Sequence, residues 1–96
     1  LDWDVCNSAV RYGRLEILKW LKENGHSLGK GLCFRAAQNG HLEVLKWLRE
    51  NNCPWNHNVC SVAVEKGHLE IFQWCLANGA PCDEDTKMSA SETWPS

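Results

Sequence analysis

The chain has 96 residues, of which 44% are hydrophobic and 23% are charged, and its formal net charge is -2. This length and apolar fraction predict one domain with its own core. The charge balance lacks the basic excess that nucleic-acid binding favours, and no apolar run approaches the ~20 residues that span a bilayer, so we expect neither nucleic acid nor a membrane as a partner.

One stretch of sequence recurs three times. Its clearest copy is Gly-His-Leu-Glu-Val-Leu-Lys-Trp-Leu, which begins at Gly40, and related copies begin at Gly13 and Gly67. Two further sets share the same spacing of 27 residues, namely Cys6, Cys33 and Cys60, and Trp20, Trp47 and Trp74. A fixed period in this range predicts a stack of structural repeats.

The first repeat reads as two helices joined by a tight turn. Apolar residues at helical spacing predict a first helix over residues 4–12 and a second over residues 14–24. Gly13 supplies the left-handed residue that the turn needs, and Gly25 ends the second helix in the same way.

The same arrangement is predicted twice more along the chain. The second pair of helices covers residues 31–39 and 41–51, with Gly40 as the turn and Asn52 in the place of the terminating glycine; the third covers residues 58–66 and 68–78, with Gly67 and Gly79. Linkers at 26–30, 53–57 and 80–83 have a normal connection length. We therefore divide a single domain, 1–96, into units 4–29, 30–56 and 57–83, followed by a partial fourth unit or cap at 84–96.

Six cysteines raise the question of disulfides. Cys6, Cys33 and Cys60 recur once per repeat, so they are predicted to lie at equivalent places on successive helices. Stacked helices lie about 8–10 Å apart, whereas a disulfide needs Cα atoms within about 7 Å. We expect buried thiols rather than disulfides, and with them a reducing compartment, the cytoplasm or the nucleus.

Tryptophan is placed both in helices and in a linker. Trp20, Trp47 and Trp74 fall within a wide apolar face of the second helices, so we expect them to pack in the core between repeats. Trp55 lies in a linker beside Pro54. Two roles are open for it, packing against the next repeat and contact with a partner.

Candidate chemical sites are few. Cys53, His57 and Cys60 form a Cys-x3-His-x2-Cys pattern of a kind that zinc sites use. Cys60 belongs to the recurring core set and the sequence places no second pair of ligands, so we expect no metal. The chain has no phosphate loop, nucleophile elbow or His-Glu-x-x-His helix, and we expect neither an enzyme nor a cofactor.

The string from Ala36 to Leu45, Ala-Ala-Gln-Asn-Gly-His-Leu-Glu-Val-Leu, resembles the centre of an ankyrin repeat. The copies at Gly13 and Gly67 resemble it too, so the resemblance covers roughly residues 4–92. The unit of 27 residues is shorter than the ordinary ankyrin unit of about 33, and it lacks the Thr-Pro-Leu-His start. Short units of this kind resemble those in long arrays from large DNA viruses and some protists.

This resemblance implies an all-α solenoid of stacked helix-turn-helix repeats. The missing residues fall between the second helix of one unit and the first helix of the next, so the long β-hairpin loops should be absent or reduced. His41 and His68, with Arg14 at the same position of the first unit, resemble the turn histidines of ankyrin repeats and are expected to be structural.

The resemblance also implies a protein–protein interaction scaffold or adaptor, a monomer that binds a partner protein through its concave face. That face would be built from the ends of the first helices and from the linkers. Its residues are Arg11, Tyr12, Lys30, Gln38, Asn39, Trp55, His57, Glu65 and Lys66. The alternative is an architectural spacer, a segment of a longer repeat array with no ligand of its own.

Overall fold

A computed structural model describes residues 3–26, 28 and 31–94, and the side chains from residue 5 onward within those ranges. The described residues form helices and connecting loops, without a strand. The helices are α1 (Trp3–Arg11), α2 (Leu15–Glu23), α3 (Leu32–Gln38), α4 (Leu42–Glu50), α5 (His57–Glu65), α6 (Leu69–Ala77) and α7 (Glu84–Thr93). The predicted all-α stack is confirmed, and α1 to α6 begin and end within one residue of the predicted bounds.

The helices form two layers. The first helices α1, α3, α5 and α7 pack side by side in a row, and α2, α4 and α6 each pack against the first helix of their own pair. The molecule is elongated along this row, with extents of 43 × 20 × 17 Å. Each interior pair is therefore covered on both sides by its neighbours, as stacked repeats require.

The turn between paired helices has the geometry that its glycine predicts. Gly40 has a φ of +76°, and the next amide, that of His41, donates to the carbonyl of Ala36 at 2.9 Å. This bond satisfies a carbonyl that the helix end leaves without a partner in its own helix. The second helices end similarly, and Asn52 takes the predicted left-handed conformation, with a φ of +63°.

The core is a repeated set of small residues and leucines. Cys6, Cys33 and Cys60 lie inside, as do Leu18 and Leu45, all at most 2% exposed. The alanines at 9, 36 and 63 are also buried, which lets successive first helices approach closely. The loops before α5 and α7 contain no strand, so the prediction that long β-hairpins are missing holds for these two linkers.

The prediction that the helical tryptophans are core residues is wrong for Trp20 and overstated for the other two. Trp20 is 52% exposed, while Trp47 and Trp74 are half-buried at the edge of the core. Trp47 borders a cleft beside Lys19 and Lys22 of the preceding second helix. Trp47 therefore lies next to the second helix of the preceding unit, whereas the described part of the chain places no preceding unit beside Trp20.

The expectation that disulfides are absent is also wrong. Cys60 and Cys82 are joined, with their Cα atoms 5.8 Å apart. Helix spacing limits the cysteines on neighbouring first helices, whereas Cys82 lies in the linker that passes α5 on its way to α7. The other four cysteines are thiols. With one disulfide present, cysteine content no longer supports a reducing compartment.

Candidate functional site

The predicted surface residues at the ends of the first helices lie on the turn side of the stack. Arg11 and Tyr12 are exposed, and the Arg11 guanidinium lies 5.5 Å from the centre of the Tyr12 ring. One unit further, Gln38 and Asn39 are half-buried. In the third, Glu65 and Lys66 are exposed.

The two amides of the middle unit are held by Arg35. The Arg35 guanidinium donates to Oε1 of Gln38 at 3.4 Å, and Nδ2 of Asn39 donates to the Arg35 carbonyl at 2.9 Å. Because these groups are fixed in place, a partner would meet them with little further loss of side-chain entropy.

The predicted linker residues lie at the other end of the first helices. His57 is the exposed first residue of α5 and Glu65 is its last, so about 12 Å of helix separates them. Lys30 lies outside the described residues. The predicted residues therefore fall into two groups, a turn-side row (Arg11, Tyr12, Gln38, Asn39, Glu65 and Lys66) and a linker-side pair (Trp55 and His57).

Trp55 is anchored rather than free in its linker. Its ring meets that of Trp74 edge to face, with centroids 5.6 Å apart, and the Arg49 guanidinium lies 4.4 Å from its centre. Both contacts are of favourable kinds, edge-to-face aromatic and cation–π. Of the two roles left open, packing against the next unit is observed, and part of the ring still faces solvent.

The exposed part of Trp55 borders a groove between α3 and α5. Phe34, Pro54 and Val59 also line it, and its volume is about 480 Å³. This groove was not predicted from the sequence, because the contact residues were expected at the ends of the first helices and in the linkers. A signal was present at Phe34, which occupies the place of the polar Asn7 and Ser61 in the neighbouring units.

The next groove along the row, between α5 and α7, is acidic. Glu65, Asp83 and Asp85 line it together with hydroxyl groups, and the Ser61 and Thr86 hydroxyls are 3.0 Å apart. Asp83 caps α7, and hydrogen bonds from the side chain and backbone of Thr86 hold the pKa of that carboxyl below its usual value. The carboxylate thus stays ionised over a wider range of pH.

The zinc pattern does not form a site. Cys60 is consumed by its disulfide with Cys82. Among the residues that the structure describes, no group of three histidine, cysteine or acidic side chains is placed to hold a metal.

The histidines at the turns are structural contacts between units. Nε2 of His41 lies 2.9 Å from the Arg11 carbonyl in the preceding turn. A Cβ atom added to Gly13 would lie 2.7 Å from the His41 ring, and one added to Gly40 would lie 2.8 Å from His68. These glycines are therefore needed for close approach as well as for backbone conformation.

Two buried thiols meet where α3 contacts the linker that carries Trp55. Cys33 and Cys53 are in hydrogen-bonding contact, and Sγ of Cys33 is also 3.6 Å from the Cys53 carbonyl. The Cys33 thiol donates to the Cys53 carbonyl, and the interaction between the two side chains lowers the pKa of Cys53 to about 7 and raises that of Cys33. Burial alone raises the pKa of Cys75 to about 11.

Part of the chain matches a known protein family. Residues 6–49 match the family model described as ankyrin repeats (many copies), a segment that runs from within α1 to within α4. A search of curated proteins found no significant match. In the described part of the chain, none of the helices has the length and apolar character needed to cross a bilayer.

Proposed function

Since the chain belongs to the ankyrin-repeat family, a non-enzymatic fold whose members generally serve as protein–protein interaction modules, we propose that it is an adaptor that binds one partner protein through the first-helix side of its stack. The contact surface comprises the turn-side row, the linker-side pair and the groove that Phe34 and Trp55 line.

The contrast between constant and variable positions carries this proposal. Ala9, Ala36 and Ala63 repeat without change and are buried. Two residues further along each helix, the repeat holds a cation at Arg11, an amide at Gln38 and a carboxylate at Glu65. The surface residues differ from one unit to the next, while the core residues beneath them stay the same. Such a surface can select a partner by the sequence of that partner.

The grooves favour a particular kind of partner segment. The α3–α5 groove is lined by Phe34, Trp55 and Val59, and the adjoining α5–α7 groove carries three carboxylates. Residues 65–94 hold half of the acidic residues of the chain and only two of the basic ones, Lys66 and Lys87. A segment with an apolar side chain followed by basic residues would complement both grooves.

Binding can be tested with two variants that separate the surfaces. Tyr12→Ala with Lys66→Ala removes exposed groups from the turn-side row, and Phe34→Ser changes the groove to the residue at position 61. Trp20→Ala serves as the control, because Trp20 is an exposed aromatic residue like Tyr12 but lies on a second helix. Each variant is first checked by circular dichroism, and proteins retained from cell extract are then identified by mass spectrometry.

We expect at least one protein to be retained by the parent and the control, and to be lost with one of the two surface variants. Its retention should also weaken at high salt, because surface charge interactions are screened. If all four chains retain the same proteins, the first-helix side is not the recognition surface.

One observation favours the alternative, a spacer segment of a longer repeat array. Ile17 is 44% exposed, whereas Val44 and Ile71 at the same place in the next units are each 2% exposed. With Val5 and Tyr12, it lines an open apolar depression on the α1–α2 end of the stack. A further helix pair placed there would bury Ile17 as the other two are buried.

This alternative has its own test. A copy of residues 30–56 joined ahead of residue 3 should stack on the depression and raise the midpoint of urea unfolding. Ile17→Lys in the longer chain should cancel that gain. An unchanged midpoint in the longer chain would leave the spacer hypothesis without its support.

A further inference from the structure

Cys33 and Cys53 lie in contact with each other in the core. Cys33 lies on α3 and is 0% exposed, while Cys53 lies in the linker after α4 and is 4% exposed. Their contact brings together a helix and a loop that are 20 residues apart in the chain. The Arg49 guanidinium donates to the Cys53 carbonyl at 2.6 Å and places a positive charge beside the thiol.

The neighbouring unit uses the same pair of elements for a disulfide. Cys60 occupies on α5 the place that Cys33 occupies on α3, and its partner Cys82 lies in the linker that leads to the next first helix, as Cys53 does. The fold therefore already accepts a covalent bond between a first helix and this linker.

We propose that Cys33 and Cys53 form a second, reversible disulfide by exchange with a small disulfide of the glutathione class, which makes the Trp55 linker a site of redox modification. The bond would join α3 to the loop that positions Trp55, and so would fix the groove between α3 and α5 in one shape.

The exchange proceeds in two balanced steps. The Cys53 thiolate attacks one sulfur of oxidised glutathione, forming a mixed disulfide and releasing one glutathione thiolate. The Cys33 thiol then gives its proton to solvent, and its sulfur attacks the Cys53 sulfur, releasing the second glutathione thiolate. Each thiolate takes up a proton, so two protein thiols are oxidised and one disulfide is reduced to two thiols.

The order of attack follows from the contact between the two cysteines and from the nearby Arg49. Because this contact and the Arg49 charge favour its thiolate, Cys53 ionises near neutral pH and acts as the nucleophile. Once Cys53 carries glutathione, its negative charge no longer holds the proton on Cys33, and Cys33 can ionise. Both sulfurs are buried, so the linker must open locally for the first step.

The test is a titration of the folded chain with glutathione buffers of rising oxidised fraction. Samples are quenched in acid, alkylated, digested and mapped by mass spectrometry, while melting is followed by circular dichroism. We expect a cross-linked pair of peptides that contain Cys33 and Cys53, a chain lighter by two hydrogens, and a melting temperature higher by about 10 °C. Reduced glutathione should reverse all three.

The chain supplies matched controls. Cys53→Ala introduces the residue that Ala80 provides at the same place in the next unit, and it should abolish both the cross-link and the rise in melting temperature. Cys75→Ala removes another buried thiol and should change neither. If a variant folds poorly, the peptide map of the parent chain still shows whether Cys33 and Cys53 become cross-linked.

Two results would overturn the proposal. In one, Cys33 and Cys53 both remain open to alkylation after the linker has had time to exchange with oxidised glutathione. In the other, Cys53 is recovered only as its glutathione adduct, or bonded to a cysteine other than Cys33.

Discussion

At the scale of single residues, the turn glycines combine two constraints that substitution can separate. Gly40 and Gly67 have the same φ, +76°, but a Cβ atom on Gly40 would lie 2.8 Å from the His68 ring, while nothing lies within 4 Å of one on Gly67. The only expected effect of Gly67→Ala is therefore the strain of a left-handed backbone with a Cβ atom, which should lower the free energy of unfolding by roughly 1–2 kcal/mol.

We expect Gly40→Ala to cost about 1–3 kcal/mol more than Gly67→Ala, because the His68 ring must also move. Urea unfolding of both variants measures the difference. Adding His68→Ala to Gly40→Ala should remove most of the extra cost, as in a double-mutant cycle. Equal costs for the two glycine variants would mean that the ring yields freely.

A second prediction at this scale concerns alkaline pH. Burial raises the pKa of Cys75 from 9.0 to about 11. Below pH 9 the thiol is protonated in both states, but between pH 9 and 11 the unfolded chain loses this proton and the folded chain keeps it. The free energy of unfolding should fall over that window, by on the order of 2–3 kcal/mol from this group.

Denaturant unfolding at pH 8, 9, 10 and 11 checks this prediction. Cys75→Leu is the matched variant, since Leu21 and Leu48 hold that place in the other units. Its stability should decline less steeply with pH than that of the parent. Parallel declines would assign the alkaline loss to other groups, among them Cys6 and Cys33, whose pKa values are also raised.

At the scale of helices, the cap of α5 is the clearest sequence-encoded contribution to stability. Asn56 is extended and its side chain accepts a hydrogen bond from the Asn58 amide at 3.0 Å. Asn56→Ala removes that acceptor and should cost about 1 kcal/mol, whereas Asn56→Ser should keep most of it. Urea unfolding of both variants measures these losses of unfolding free energy. Equal losses would show that water, and not the residue 56 side chain, satisfies the Asn58 amide.

Helix positions could be predicted because their signals are local. Gly13 and Gly40 end first helices, and Asn52 ends α4, whatever lies around them. The exposure of Trp20 could not be predicted in this way, because its burial depends on a neighbouring unit and not on its own helix. The groove was missed for a related reason, since Phe34 and Trp55 come from different elements that meet only in the stack.

The disulfide could not be predicted from helix spacing, because one of its cysteines lies in a loop. Cys60 lies on a helix whose neighbours are about 8–10 Å away, but Cys82 lies in a linker that is free to pass closer. Sequence periodicity identified the cysteine that repeats. It held no information on the partner, which occupies the places of Leu28 and Trp55 in the other units.

At the scale of the whole molecule, stability should be divided along the stack. Among the described residues, each first helix packs mainly against its neighbours in the row and, in the first three units, against its own second helix, so each unit is coupled chiefly to those beside it. The disulfide between Cys60 and Cys82 ties α5 to the linker before α7 and does not reach α1 or α2. Its removal should therefore affect one end of the molecule more than the other.

Cys82→Ser tests this division. We expect a loss of roughly 2–4 kcal/mol of unfolding free energy, because the cross-link no longer restricts the unfolded chain. Hydrogen exchange should rise in α5 and α7 and stay close to the parent in α1 and α2. A reducing agent should reproduce the effect in the parent and leave the variant unchanged. An equal rise in exchange along the whole chain would instead show that the stack opens as a single cooperative unit, in which case a partner bound at either end would stabilise every repeat.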